Sequence, residues 1–93
     1  MAVYVDPIQE YPLEFVAPAA RRYGRYWCHM TADTPAELMA MARRLRLSPA
    51  YLQRGGSQQI MHFDLTPSKR AAAIRLGAIQ ITAKETIARS PPD

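Results

Sequence analysis

The chain holds two histidines, His29 and His62, and each stands a short way ahead of an aspartate and a Thr-Pro pair, HMTADTP in one place and HFDLTP in the other. His62 and Asp64 are two residues apart, so in an extended strand their side chains leave the same face with Cα atoms about 7 Å apart. That is near enough to share an ion, a water or a hydrogen bond. His29 takes the corresponding face of its own strand. If the two strands are neighbours, two imidazoles and a carboxylate converge, a donor set for a divalent metal or for acid–base chemistry near neutral pH. Asp33 is a weaker partner, because extended chain would put it about 13 Å from His29 unless the backbone turns between them. The plain alternative is that Asp33 and Asp64 favour the positive helix N-termini beside them while the histidines make ordinary hydrogen bonds.

A second chemistry is suggested by Ser68, Lys69 and Arg70, which fall in the first turn of a helix. Free N–H groups and the helix dipole could bind a phosphate there with help from the two cations. Without an anion, Lys69 and Arg70 are unfavourably placed for the dipole. RRYGRYW interleaves Arg21, Arg22 and Arg25 with Tyr23, Tyr26 and Trp27, a mixture suited to backbone neutralisation with base stacking. In this reading Trp27 faces outward and Tyr26 inward. ARRLR at residues 42–46 is the polar, dipole-favoured end of a helix rather than a patch. Gly55-Gly56 lies in the wrong context for a phosphate loop, and no serine sits in a nucleophile elbow.

The elements that must carry these residues follow from periodicity and punctuation. AVYVD reads as a first strand ending at Asp6-Pro7, and Ile8 to Arg25 as a long connection broken by prolines and Gly24, with a short hairpin or turn around Tyr11 to Val16. YWCHMTAD is a two-faced strand: Tyr26, Cys28, Met30 and Ala32 on one side, Trp27, His29, Thr31 and Asp33 on the other. Thr34-Pro35 with Glu37 caps a helix whose apolar stripe is Leu38, Met41, Ala42 and Leu45. Ser48-Pro49 starts a short helical segment, RGGSQQ is a loop, and IMHFDL is a strand with Met61, Phe63 and Leu65 on its apolar side. Thr66-Pro67 opens an alanine-rich helix that Gly77 stops. AIQIT is a fourth strand, Thr82 and Glu85 box a last short helix, and residues 90–93 form a frayed tail.

Strand and helix alternate, which points to an α/β fold. The strands alternate faces rather than running continuously apolar. The expectation is therefore a two-layer sandwich of about four strands in one sheet, with three or four helices packed mainly on one face. Tyr4, Asp6, Trp27, His29, His62, Asp64 and Gln80 would gather on the other.

Ninety-three residues allow a single domain. Twelve Lys and Arg against eight Asp and Glu leave a formal charge of +4, which favours polyanionic partners. Cys28 is alone, excluding an internal disulfide or a thiolate zinc cage, and on the apolar strand face it reads as a buried thiol. The N-terminal stretch does not resemble a leader, and no apolar run is long enough for a membrane. A reducing cytoplasm is the expected location.

The segments YVD, CHMTADTPAELMAMARRL and HFDLTPSKRAAAIRLGAI, with their spacing, resemble a small family of bacterial and phage proteins catalogued as DUF4031. The resemblance covers most of the chain outside residues 8–26, with Asp6, His29, Asp33, His62, Asp64 and Arg70 at matching motif positions. It implies a domain extent rather than a reaction. From the residues themselves, the leading expectation is a phosphate-bearing ligand, nucleic acid or nucleotide, with Ser68, Lys69 and Arg70 on phosphate, Trp27 stacking, and His29, Asp33, His62 and Asp64 lining the rest. The alternatives are metal-assisted phosphodiester hydrolysis, with His29, His62 and Asp64 as catalytic and metal-ligating candidates for a divalent ion, and a protein-interaction module, including a homodimer.

Overall fold

The computed structural model describes residues 2–53 and 61–88. The RGGSQQ loop apart from its surroundings, Ile60 and the expected frayed tail at 90–93 lie outside the described residues. The sheet is mixed and built around β3 (Tyr26–Ala32). Along one edge of β3, β1 (Val3–Val5) and then β2 (Gln9–Glu10) run antiparallel to it. β4 (Phe63–Leu65) pairs antiparallel along the other edge, and β5 (Ile79–Gln80) extends the sheet parallel to β1. The α/β sandwich expected from the alternation of elements is present, but the connection from β3 through α1 (Pro35–Arg44) returns to an antiparallel neighbour. The chain after α1 runs back to the end of β3 where Phe63 meets Met30.

One face of the sheet and the helices form the core. Val5, Met30, Phe63 and Leu65 are fully buried and Cys28 nearly so, packed against Leu38, Met41 and Ala42 of α1, Leu45 at its C-cap, and Ala73 of α2 (Pro67–Arg75). Each such side chain contributes about 1.5–3 kcal/mol by leaving water, and together they fix which way every strand faces. Tyr26, expected inward, is 49% exposed. It lies at the start of β3, opposite Glu10, and its hydroxyl donates to the Glu10 carboxylate.

The caps read from sequence form as expected. Thr34 Oγ1 accepts from the Glu37 N–H, Thr66 Oγ1 from the Lys69 N–H, and Ser48 Oγ from the Ala50 N–H at a short 3-10 turn. Thr82 and Glu85 bond reciprocally at the start of α3 (Ala83–Ala88). Both long helices stop in the same way: the Leu47 N–H bonds back to the Ala42 carbonyl and the Ala78 N–H to the Ala73 carbonyl, with a left-handed residue between. After α2 that residue is Gly77 at φ 106°. After α1 it is Arg46 at φ 60°, where an L side chain costs about 1–2 kcal/mol.

The segment 8–25 contains β2 and two 3-10 turns, Leu13–Phe15 and Pro18–Tyr23; of the hairpin or turn expected around Tyr11 to Val16, the turn is present. Between Val5↔Met30 and Gln9↔Trp27, three residues of the first edge stand opposite two of β3. This bulge begins at Asp6, ahead of Pro7, which has no N–H for the ladder. Among the described residues no helix is long and apolar enough to cross a membrane.

Candidate metal centre

The register of β3 against β4 places His29 directly opposite Asp64. Cross-strand neighbours on one face have Cβ atoms about 5 Å apart, and His62, two residues before Asp64, is the diagonal neighbour. His62 is held in place by an isolated bridge, exchanging both backbone hydrogen bonds with Gln53 at 2.9 Å. The two imidazoles meet edge to face with ring centres 5.2 Å apart, and His62 Nε2 lies 3.5 Å from Asp64 Oδ1. One ligand atom from each of His29, His62 and Asp64 falls within 4.8 Å of the others. Two donors at about 2.1 Å from a tetrahedral ion are about 3.4 Å apart, so one edge of such a site is already at its working length and the third donor needs a small closure.

The residues behind these three are arranged as supports. Asp6, only 2% exposed, accepts from the His29 backbone N–H on Oδ1 at 2.6 Å and contacts His29 Nδ1 through Oδ2 at 2.8 Å. The bulge makes this possible. The Asp6 N–H bonds the His29 carbonyl in ladder fashion, but the return bond from His29 goes to the Asp6 side chain, and the Asp6 carbonyl accepts from Arg70 Nε at 2.8 Å instead. A carboxylate on Nδ1 selects the tautomer with Nε2 unprotonated, the arrangement found behind metal-ligating histidines. Thr86 of α3 donates to Asp6 Oδ2 at 3.3 Å, and Gln53 Nε2 donates to Asp64 Oδ2. Thr31, two residues along β3 from His29, has a buried hydroxyl with no hydrogen-bond partner among the described residues.

Electrostatics follow from these contacts. Burial pushes the Asp6 carboxyl up, but the hydrogen bonds from the His29 ring and backbone, the His29 charge and the Thr86 hydroxyl outweigh it and hold its pKa below the ordinary value. His29 is raised, first by its hydrogen bond to Asp6; burial opposes this, and the charges of Asp6 and Asp64 add to it. Burial also pushes Tyr11 up, with the negative charges of Asp6 and Asp64 adding to the effect. Cys28, on the opposite face, is driven to about 12, mainly by burial.

Of the residues singled out from sequence, His29, His62 and Asp64 are brought together. Asp33 is not: its carboxylate accepts from the Ala2 N–H at 2.8 Å and the Tyr4 hydroxyl at 2.9 Å, securing the start of β1. Lys69 Nζ donates to the Leu45 carbonyl at the end of α1, and Arg70 spans the Asp6 carbonyl and Gln80 Oε1. Ser68 stands 3.3 Å from the capping hydroxyl of Thr66. Trp27 is half-buried, with its indole N–H on the Gly24 carbonyl. The basic segment before it is engaged locally, Arg21 on the Val16 carbonyl, Arg22 over the Tyr23 ring and Arg25 on Glu10. Gln53 and Thr86 were not singled out from sequence. A two-strand alternation carries no sign of either, although Gln53 lies just past the helical segment that Ser48-Pro49 announces.

Fold and site define a small α/β domain with a mixed sheet that carries two histidines and an aspartate on one sheet face, backed by a buried carboxylate. The family described as "Protein of unknown function (DUF4031)" matches residues 3–91, and the chain belongs to it. The match runs through residues 8–26, the part the sequence resemblance had left uncovered. No curated protein and no solved structure matches the chain.

Proposed function

We propose that the domain binds a divalent transition metal through His29 Nε2, His62 and Asp64 and uses it to hydrolyse a phosphoester. The observation that carries this reading is the convergence of those donors within 4.8 Å. Two nitrogens and one carboxylate oxygen suit Zn²⁺ or a similar ion and leave coordination positions for water and substrate. A bound ion would supply a hydroxide near neutral pH and polarise a phosphoryl oxygen. The chain's own residues orient the donors: Asp6 keeps the proton of His29 on Nδ1, and Gln53 fixes Asp64 so that Oδ1 faces His62. The phosphoester is favoured as substrate by the formal charge of +4. A reducing cytoplasm is the compartment proposed, in keeping with a single, buried cysteine.

The test is elemental analysis of the full-length protein stripped with chelator and reloaded with Zn²⁺, Mn²⁺ or Co²⁺. The parent should take up one ion per chain, and the His62→Ala and Asp64→Ala variants should each bind at least about 100-fold more weakly. Hydrolysis of bis(p-nitrophenyl) phosphate should appear only in the loaded parent. Absence of any ion held more tightly than about 100 μM would sink the metal reading, while stoichiometric binding without hydrolysis would sink only its catalytic half.

A further inference from the structure

On the other layer of the molecule, Arg44, Arg46, Lys69 and Arg75 line a cleft of about 320 Å³ whose apolar wall is Leu45, Ala72 and Leu76. Among the described residues no carboxylate lines it. Six of the acids are engaged elsewhere: Asp6 on His29, Glu10 on Arg25, Asp33 on Ala2 and Tyr4, Glu37 on Thr34, Asp64 on Gln53 and Glu85 on Thr82. None of the ion pairs among the described residues includes any of the four cleft cations. Four like charges gathered without a counter-charge among the described residues repel one another, and an anionic ligand removes that cost.

The helix dipole explains part of this cluster. Arg44 and Arg75 each stand in the last turn of a helix, where a cation is favoured. Lys69 belongs to the first turn of α2, but its ammonium sits on the Leu45 carbonyl at the C-terminal end of α1, where a cation is again favoured. The dipole does not explain an arginine in the left-handed position after α1, where glycine fits without strain. Strain retained at a residue that lines a cleft is a reason to look for a ligand there. Lys69 spends one ammonium proton on the Leu45 carbonyl, which leaves two donors for another partner. The cleft volume is at the lower end of small-molecule sites, which start near about 300 Å³, and the apolar wall offers a surface for a base or sugar.

We propose that this cleft is a binding site for nucleotide phosphates, held by Arg44, Arg46, Lys69 and Arg75, separate from the metal centre and sharing no residue with it. The same chemistry is offered by a free nucleotide and by a stretch of single-stranded nucleic acid.

Labelled ATP and a labelled oligothymidylate, titrated into the full chain by fluorescence anisotropy over a range of salt, separate the two sources. Binding of ATP alone identifies the free nucleotide, binding of the oligothymidylate alone the strand, and either supports the site. With four cations engaged, the log–log salt slope for the strand should approach about −3, and Arg75→Gln should reduce it by about one. Arg46→Gly is the more discriminating variant. It should weaken binding about tenfold and yet raise the melting temperature, because glycine relieves the left-handed strain; a merely structural arginine would not show these opposite signs. The proposal is overturned if neither probe binds below about 1 mM, or if Arg46→Gly and Arg75→Gln both leave the affinity of the bound probe unchanged. A negative result here leaves the metal reading standing, since ion uptake is measured on other residues.

Discussion

Replacing Asp6 by Asn keeps the shape of the side chain and removes its charge, and its consequences can be worked out bond by bond. Asp6 accepts from the His29 N–H at 2.6 Å, His29 Nδ1 at 2.8 Å and Thr86 Oγ1 at 3.3 Å. An amide offers one oxygen, which the backbone N–H of His29 can keep. Its NH₂ then faces Nδ1 and can be accommodated only if the imidazole carries its proton on Nε2. The variant therefore turns His29 to the wrong tautomer for a metal ligand, and ion affinity should fall about 10- to 100-fold. A hydrogen bond to a charged group is worth about 1.5–3 kcal/mol. The lower part of that range applies, because the His29 side chain is 36% exposed and solvent screens its charge. A loss of about 2 kcal/mol corresponds to a melting temperature lower by about 8–16 °C in a domain of this size.

The pH dependence of the metal-free protein supplies a second readout. The raised pKa of His29 means that its stabilisation is complete below the ordinary value of 6.5 and is lost as pH rises through the raised one. The lowered pKa of Asp6 gives stabilisation present above 3.8 and lost as pH falls through the lowered value. In chelator the parent should therefore be most stable between these limits and should lose stability on the alkaline side above 6.5. Asp6→Asn should flatten that alkaline decline. Ion affinity of the parent should climb over the same interval, as the proton on His29 stops competing. Circular dichroism melts at several pH values, with and without Zn²⁺, make both comparisons. If Asp6→Asn melts within about 2 °C of the parent and binds the ion equally well, the supporting role assigned to Asp6 is refuted.

Three further outcomes are expected. Gln53→Leu removes the donor that holds Asp64 Oδ2 and should weaken ion binding about tenfold with little change in fold; calorimetric titration with Zn²⁺ would expose unchanged affinity as a contradiction. Phe63→Ala empties a fully buried position at the centre of the core and should cost about 3–5 kcal/mol, read as a lower urea midpoint, whereas a loss under about 1 kcal/mol would mean that the core is not packed around Phe63. Cys28, with its pKa near 12, should stay unreactive towards Ellman's reagent at pH 8 until the protein unfolds, and rapid native labelling would contradict its burial.

What was legible in the sequence was local. Threonine and serine before proline marked three helical starts because a cap hydroxyl and an N1 proline satisfy the same unpaired N–H groups wherever they occur. The two-residue alternation correctly assigned Cys28, Met30, Phe63 and Leu65 to the core and His29, His62 and Asp64 to the other face. The pairing of strands was not legible. Whether β4 lies beside β3, and in which direction, depends on chain returning from α1, and nothing in the periodicity of either strand records it. Asp6 could be placed on the right face but not given its bonds, since these arise from a bulge that exists only once β1 and β2 share an edge of β3. The surroundings of Lys69 and Arg46 were not legible for a related reason. One sits on the carbonyl of another helix and the other takes the position where glycine is usual, and both depend on tertiary geometry.

The donor set stands on a sheet ladder, and this makes the core the guarantor of the site. His29 meets Asp64 because Cys28 pairs with Leu65 and Met30 with Phe63, and those four side chains are all at or below 1% exposure. A slip of β4 by one residue would carry Phe63 and Leu65 to the opposite face and send His62 and Asp64 into the apolar layer. The apolar burial lost in that slip, at about 1.5–3 kcal/mol for each large side chain, is comparable with the whole stability of a small domain. The register is thus held by residues that never touch a ligand, so the three donors come together before any ion arrives. The ion binding proposed above then needs only the closure of the remaining donor distances. On this argument a core substitution that loosens β4 weakens ion affinity in step with stability, whereas Asp6→Asn and Gln53→Leu lower affinity by more than their effect on folding would account for.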